Sequence, residues 1–119
     1  MTGMRLPGAA GAIVAPEKVR DYLLAADHPD NGGKANFFAL FGFSRNRWGA
    51  LQAAIAVHPA DNEVVRVTPA GDGMRHHVRC NLVSPDGRNP CITTIWAVER
   101  DQPPWLITTF PGRPPPVAA

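Results

Sequence analysis

The stretch His28–Phe38, HPDNGGKANFF, sets a histidine and a lysine on either side of a glycine-rich helix entrance. An imidazole exchanges protons near neutral pH, and an ammonium neutralises an anion as a compact charge. A cation at a helix N-terminus faces the positive end of the macrodipole, so Lys34 is mildly disfavoured there unless a cleft or an anion compensates. Gly32 and Gly33 would let an anion approach the first helical N–H groups, with Lys34 joining them. The glycine-and-Lys-Ser/Thr spacing of a P-loop is absent. The plainer reading makes His28 a helix-ending residue before Pro29 and Lys34 a lysine whose stem covers apolar surface.

Further candidates lie in the second half. Arg88, just past Pro85-Asp86-Gly87, carries a planar fork suited to a phosphate. Arg75, His77 and Arg79 alternate along one strand face and would form a basic track for a phosphate backbone. The competing reading is the solvated face of an antiparallel sheet. Thr94 and Thr108 offer hydroxyls to phosphate or ribose oxygens, although threonine is also an ordinary strand residue. The acids are scattered over helix ends and turns without ligand spacing, so neither a metal nor another cofactor is expected.

These side chains need elements to hold them. Pro16 suits the first turn of a helix running to about Ala26, with Val19, Leu23 and Ala26 on one stripe and Tyr22 beside it. A second helix is expected from Lys34 to Phe41, its Phe37, Phe38 and Phe41 sharing a stripe with Lys34, and Gly42 is its C-cap. A third runs from Arg47 to Val57, stopped by His58-Pro59. The period then changes to strands at Val64–Thr68, Met74–Val83, Cys91–Arg100 and Trp105–Phe110. A type I turn at Ser84-Pro85-Asp86-Gly87 would set Val78 opposite Thr94, His76 opposite Trp96 and Cys80 opposite Ile92. In that register Cys80 and Cys91 fall on opposite faces, so free thiols are expected. The outline is an α+β fold: two to three N-terminal helices packed on one face of a four-stranded antiparallel sheet.

Composition bounds the rest. The 119 residues fit one domain, expected over 1–111, with a disordered Pro-rich tail at 112–119. An apolar share of 45% with three Trp and five Phe suits a globular core. A net charge of +2 and a pI near 8.8 are mildly basic, below what by itself indicates nucleic-acid binding. No signal-peptide pattern or membrane-length apolar run is visible, so a cytoplasmic location without membrane association is expected.

The run LPGAAGAIVAPEKVRDYLLAADHPDNGGKANFFALFGF, followed by Trp48 and Leu51 and then by SPDGR, TTIW and WLITTFP, resembles a small bacterial domain family of unknown function. The likeness covers roughly Leu6 to Pro111. Its layout is similar to the barnase–EndoU–colicin–RelE group of metal-independent ribonucleases, many of them toxins. The resemblance implies RNA as substrate and a cognate antitoxin or immunity protein as partner. It also implies a reaction in which a base removes the 2′-OH proton, cations stabilise the phosphorane and an acid protonates the leaving 5′-oxygen. His28, Lys34, Arg88 and Thr108 would then be the catalytic set, with Gly32, Gly33, Arg75, His77, Arg79 and Thr94 binding substrate. Where the family pattern reads HP-x-Gly-Arg-x-Lys, this chain has Asp30, Asn31, Gly32 and Gly33. The competing function is a non-catalytic interaction module, an antitoxin, immunity partner or structural subunit, marked by an exposed apolar surface.

Overall fold

The computed structural model describes residues 4–111, so the expected tail at 112–119 lies outside the described residues. Among the described residues, helical segments come first and a four-stranded antiparallel sheet follows, the α+β arrangement the sequence implies. We label the helices α1 (Pro16–Lys18), α2 (Lys34–Leu40) and α3 (Trp48–Asp61). The strands are β1 (Glu63–Ala70), β2 (Gly73–Asn81), β3 (Cys91–Val98) and β4 (Trp105–Pro111), side by side in chain order.

The first helix departs from its expected form. Only Pro16–Lys18 is α-helical; Val19–Leu23 then widens into a π turn that closes when the Leu24 N–H bonds the Val19 carbonyl at 2.9 Å. Val19 and Leu23 remain fully buried, but the helix ends before Ala26, which is exposed, and Leu24 and Ala25 are buried in its place.

The second helix ends as its glycine implies. Gly42 takes φ +98°, Phe43 N–H reaches the Phe38 carbonyl at 3.2 Å, and Gly42 N–H reaches that of Ala39 at 3.1 Å. That is the Schellman pattern, completed by the Phe38 and Phe43 rings edge to face at 6.0 Å.

The third helix overruns its expected stop. It continues through Pro59 to Asp61, because a proline in the last turn removes only one helical N–H and the residues beyond it can still coil. The overrun carries His58 into the interior.

The register is the one the sequence implies, with Val78 opposite Thr94, His76 opposite Trp96 and Cys80 opposite Ile92. The hairpin loop is longer than expected, since strand pairing ends at Asn81 and Cys91. The turn itself forms, with Gly87 N–H on the Ser84 carbonyl at 3.1 Å and Gly87 at φ +80°.

The thiols require a correction. Cys80 and Cys91 are joined in a disulfide, their α-carbons 4.3 Å apart. The register is right and the free thiols inferred from it are not. Alternate facing holds for a flat ladder, whereas residues one step apart across a twisted strand end approach closely enough to bridge.

The core lies between α3 and the sheet face carrying Val78, Trp96 and Thr94, and it includes Leu23, Phe38, Leu51, Ile55 and Ile92. The opposite face carries Arg75, His77 and Arg79, as expected from their alternation. The N-terminal segment covers part of the β4 edge: Ile13 N–H bonds the Pro104 carbonyl at 2.8 Å and Leu106 N–H bonds the Ile13 carbonyl at 2.9 Å. Those two bonds hold the segment leading into α1 beside β4.

Candidate functional site

The loop between the π turn and α2 is organised by a side chain the sequence does not single out. Asn31 is buried, and its amide donates to the Tyr22 and Leu23 carbonyls at 2.5 and 3.3 Å. Its Oδ1 accepts from the Ala35 N–H at 2.9 Å, and its carbonyl accepts from the Lys34 N–H at 3.2 Å. Asn31 therefore ties the loop to both helices. Gly32 and Gly33, at φ +65° and +84°, supply the left-handed turns that bring the chain from Asn31 into α2. Two N–H groups at the α2 start, those of Lys34 and Ala35, are thus already engaged within the chain.

Lys34 reaches across that start to the sheet. Its Nζ donates to Tyr22 Oη at 2.7 Å and to Thr108 Oγ1 at 3.0 Å, and it stands 4.9 Å from the Tyr22 ring centroid. The ammonium holds Tyr22's phenol below its ordinary titration range, first through this hydrogen bond, with the Thr108 hydroxyl acting in the same direction. His28 meets Tyr22 edge to face at 5.1 Å, and its Nδ1 accepts from the Asp30 N–H at 3.1 Å. In the tautomer that bond selects, Nε2 carries the proton. Lys18 adds a second cation 5.7 Å from the Tyr22 ring. An open cleft of about 470 Å³ is lined by Glu17, Lys18, Asp21, Tyr22, His28, Ile107 and Thr108, and Lys34 reaches it through its bonds to Tyr22 and Thr108.

Three of the four expected catalytic residues, His28, Lys34 and Thr108, thus gather around Tyr22. Arg88 does not join them. It forms a 2.6 Å ion pair with Asp86, donates to the Leu40 carbonyl and lies 4.6 Å from the Phe41 ring. Its own backbone N–H, more than its guanidinium, draws the Asp86 carboxyl down to about 2. Arg88 holds the hairpin loop against the end of α2.

Thr94 is equally removed from the cleft. It is fully buried, and its Oγ1 accepts from Trp96 Nε1 at 2.8 Å. It stands 2.9 Å from His58 Nδ1, while His58 Nε2 lies 2.9 Å from the Cys80 carbonyl. One assignment satisfies every partner: Thr94 donates to Nδ1 and Nε2–H donates to Cys80, leaving the imidazole neutral. Burial drives His58's titration downward accordingly. The sequence signals neither bond, because His58-Pro59 reads there as a helix stop. Arg75, His77 and Arg79 lie on the outer sheet face, where Arg79 Nε donates to Thr93 Oγ1 at 3.2 Å. The register continues that face across the sheet, with His77 opposite Ile95 and Ile95 opposite Thr108, so the row lies on the sheet face from which Thr108 meets Lys34.

Tyr22 is the member that sequence reasoning misses. It sits beside an apolar stripe, and no spacing links it to Lys34. Its one sequence signal is being the single tyrosine of the chain.

A second concavity, about 420 Å³, lies between α3 and the hairpin loop and is lined by Phe43, Ala54, Val57, Val83 and Pro85 among others. Val57 and Val83 are exposed there, at 52% and 65%.

The profile of a domain of unknown function, DUF6883, matches residues 5–113, and the chain belongs to that family. No curated protein matches it. A solved structure described as a contact-dependent growth inhibition toxin–immunity protein complex from Klebsiella pneumoniae 342 contains a chain with the same fold. The two superpose with a TM-score of 0.69 at 17% identity, covering 92% of this chain and 100% of that one. Among the described residues no helix is long and apolar enough to cross a membrane.

Proposed function

We propose that this DUF6883 chain is a toxin-type endoribonuclease module that cleaves RNA at the Lys34 cleft by general acid/base attack of the 2′-hydroxyl on the adjacent phosphate, without a metal ion. The observation that carries the reading is the Lys34 ammonium, anchored by Tyr22 and Thr108 at a cleft that His28 lines. Two of its three N–H donors are fixed by protein, and the third is left for a phosphoryl oxygen. Lys18, on the same cleft, adds positive charge where the phosphorane would develop its negative charge. His28, with Nδ1 engaged by the Asp30 N–H, presents Nε2–H as a donor to the reacting phosphate. Arg75, His77 and Arg79 would hold more distant parts of the RNA backbone. The likeness to a chain of a toxin–immunity complex supports a toxin system and, with it, a protein partner.

The test is incubation of the purified protein with RNA in excess chelator. Expected are fragments ending in 2′,3′-cyclic phosphate, a loss of cleavage in His28→Ala and Lys34→Met, and retained folding in both. Activity abolished by chelator and restored by Mg²⁺ would overturn the mechanism.

A second reading rests on the apolar groove beside α3, whose exposed Val57 and Val83 suit a protein partner. In that case the chain is a non-catalytic immunity or interaction module. RNA would stay intact, and Val57→Asp would abolish complex formation.

A further inference from the structure

We propose that Tyr22 is the general base of the cleft, its Oη taking the proton from the attacking 2′-hydroxyl; this rests on the ribonuclease reading above.

The need for such a group follows from His28. A histidine acting as base through Nε2 must carry its proton on Nδ1, but Nδ1 accepts from the Asp30 N–H at 3.1 Å. A proton there would set two donors against each other. With Nε2 protonated, His28 donates, and the proton acceptor must be another group in the cleft. Two carboxylates, Glu17 and Asp21, also line the cleft, Asp21 paired with Arg20 at 2.9 Å, but Tyr22 is the acceptor that the Lys34 ammonium meets directly. It lines the cleft, and its Oη accepts from the Lys34 ammonium at 2.7 Å, which stands 4.9 Å from the ring centre. Lys18 stands 5.7 Å from the ring as a second cation. An adjacent ammonium favours phenolate over phenol, in keeping with the direction of Tyr22's titration. The bond that Oη–H makes to the Asp30 carbonyl is long, at 3.3 Å, so its loss on ionisation costs little.

The step balances within the pair. The phenolate oxygen takes the 2′-OH proton, and the pair of that O–H bond forms the new bond to phosphorus. The bond from phosphorus to the 5′-oxygen breaks with its electrons on that oxygen, which takes a proton from the Lys34 ammonium. The proton then held by Tyr22 returns to the lysine across their hydrogen bond, and no further reactant is consumed.

A single tyrosine in the chain makes the test direct. Ultraviolet difference absorbance should show the Tyr22 phenolate forming below the ordinary 10.0 in the wild type and moving up in Lys34→Met. Tyr22→Phe keeps the ring that His28 meets edge to face and removes only the hydroxyl. With protein in saturating excess, it should cleave a short RNA about a hundredfold or more slowly in single turnovers. It should also lose the rise of rate with pH that a titrating base produces. Cleavage by Tyr22→Phe at the wild-type rate would overturn the inference and leave the ribonuclease reading standing. A phenolate titrating at its ordinary value would do the same. An inactive wild type would remove the ribonuclease reading, and this inference with it.

Discussion

His58 shows how a residue's surroundings redirect its chemistry. Exposed, it would be one more titrating imidazole; enclosed between Thr94 and the Cys80 carbonyl, it is held neutral by burial. Its folded pKa lies below the ordinary 6.5 of the unfolded chain, so the unfolded state binds the extra proton first. Stability should therefore be flat above about pH 7 and fall as pH drops through 6.5 toward the lower folded value, by at most about 1.4 kcal/mol per pH unit for one group. His76 and His77, both pushed down first by burial, add in the same direction. Thermal melts across this range should show the fall in the wild type and a shallower one in His58→Gln. Equal slopes would mean that His58 is not the group responsible.

At the scale of elements, the disulfide between Cys80 and Cys91 ties β2 to β3 where their pairing ends. It closes a short loop, with a sequence separation of 11. By the loop-entropy relation such a link is worth about 2–3 kcal/mol. Cys80→Ala with Cys91→Ala should lower the denaturant midpoint accordingly, and reduction of the native chain should raise its mass by two hydrogens. Thiol labelling of unreduced, denatured protein at both positions would refute the bond. The loop it closes carries Asp86 and Arg88, and Arg88 in turn meets the Leu40 carbonyl. Loosening the hairpin should therefore be felt first at the end of α2, away from the Lys34 cleft.

Across the whole molecule, charge is divided between two places. Lys18 and Lys34 serve the cleft, while Arg75, His77 and Arg79 lie on the outer sheet face. If that face tracks RNA, Arg75→Gln with Arg79→Gln should weaken binding uniformly across sequences. It should also reduce the salt slope of log K by roughly 0.7 for each single-strand phosphate no longer neutralised, about 1.4 for the pair. An unchanged slope would make the face an ordinary solvated one. Lys34→Met separates the two roles, because it removes the ammonium at the reacting phosphate while leaving the outer row in place.

What the sequence determined by itself was whatever short-range rules govern. Gly42 had to end α2 in a left-handed turn, a prolyl turn with glycine fourth set the pairing of β2 with β3, and the change of period at Val64 announced the sheet. Lys34 could be placed on the stripe of Phe37, Phe38 and Phe41 by counting turns, which left open whether its stem covers that surface or its ammonium reaches a cleft. The π turn and the overrun of α3 past Pro59 escape such rules because packing overrides local preference at helix ends. The tertiary structure alone decided which distant groups meet. Tyr22 and Thr108 lie 12 and 74 residues from Lys34, and no periodicity joins positions so far apart. For the same reason Thr94 and His58, 36 residues apart, read as a strand residue and a helix stop until folding makes them partners. Arg88 illustrates the converse effect: its spacing allows a phosphate grip, but the Leu40 carbonyl, 48 residues away, claims its guanidinium. Side-chain chemistry is written in the residue types; its assignment to a site depends on neighbours that only the packed chain creates.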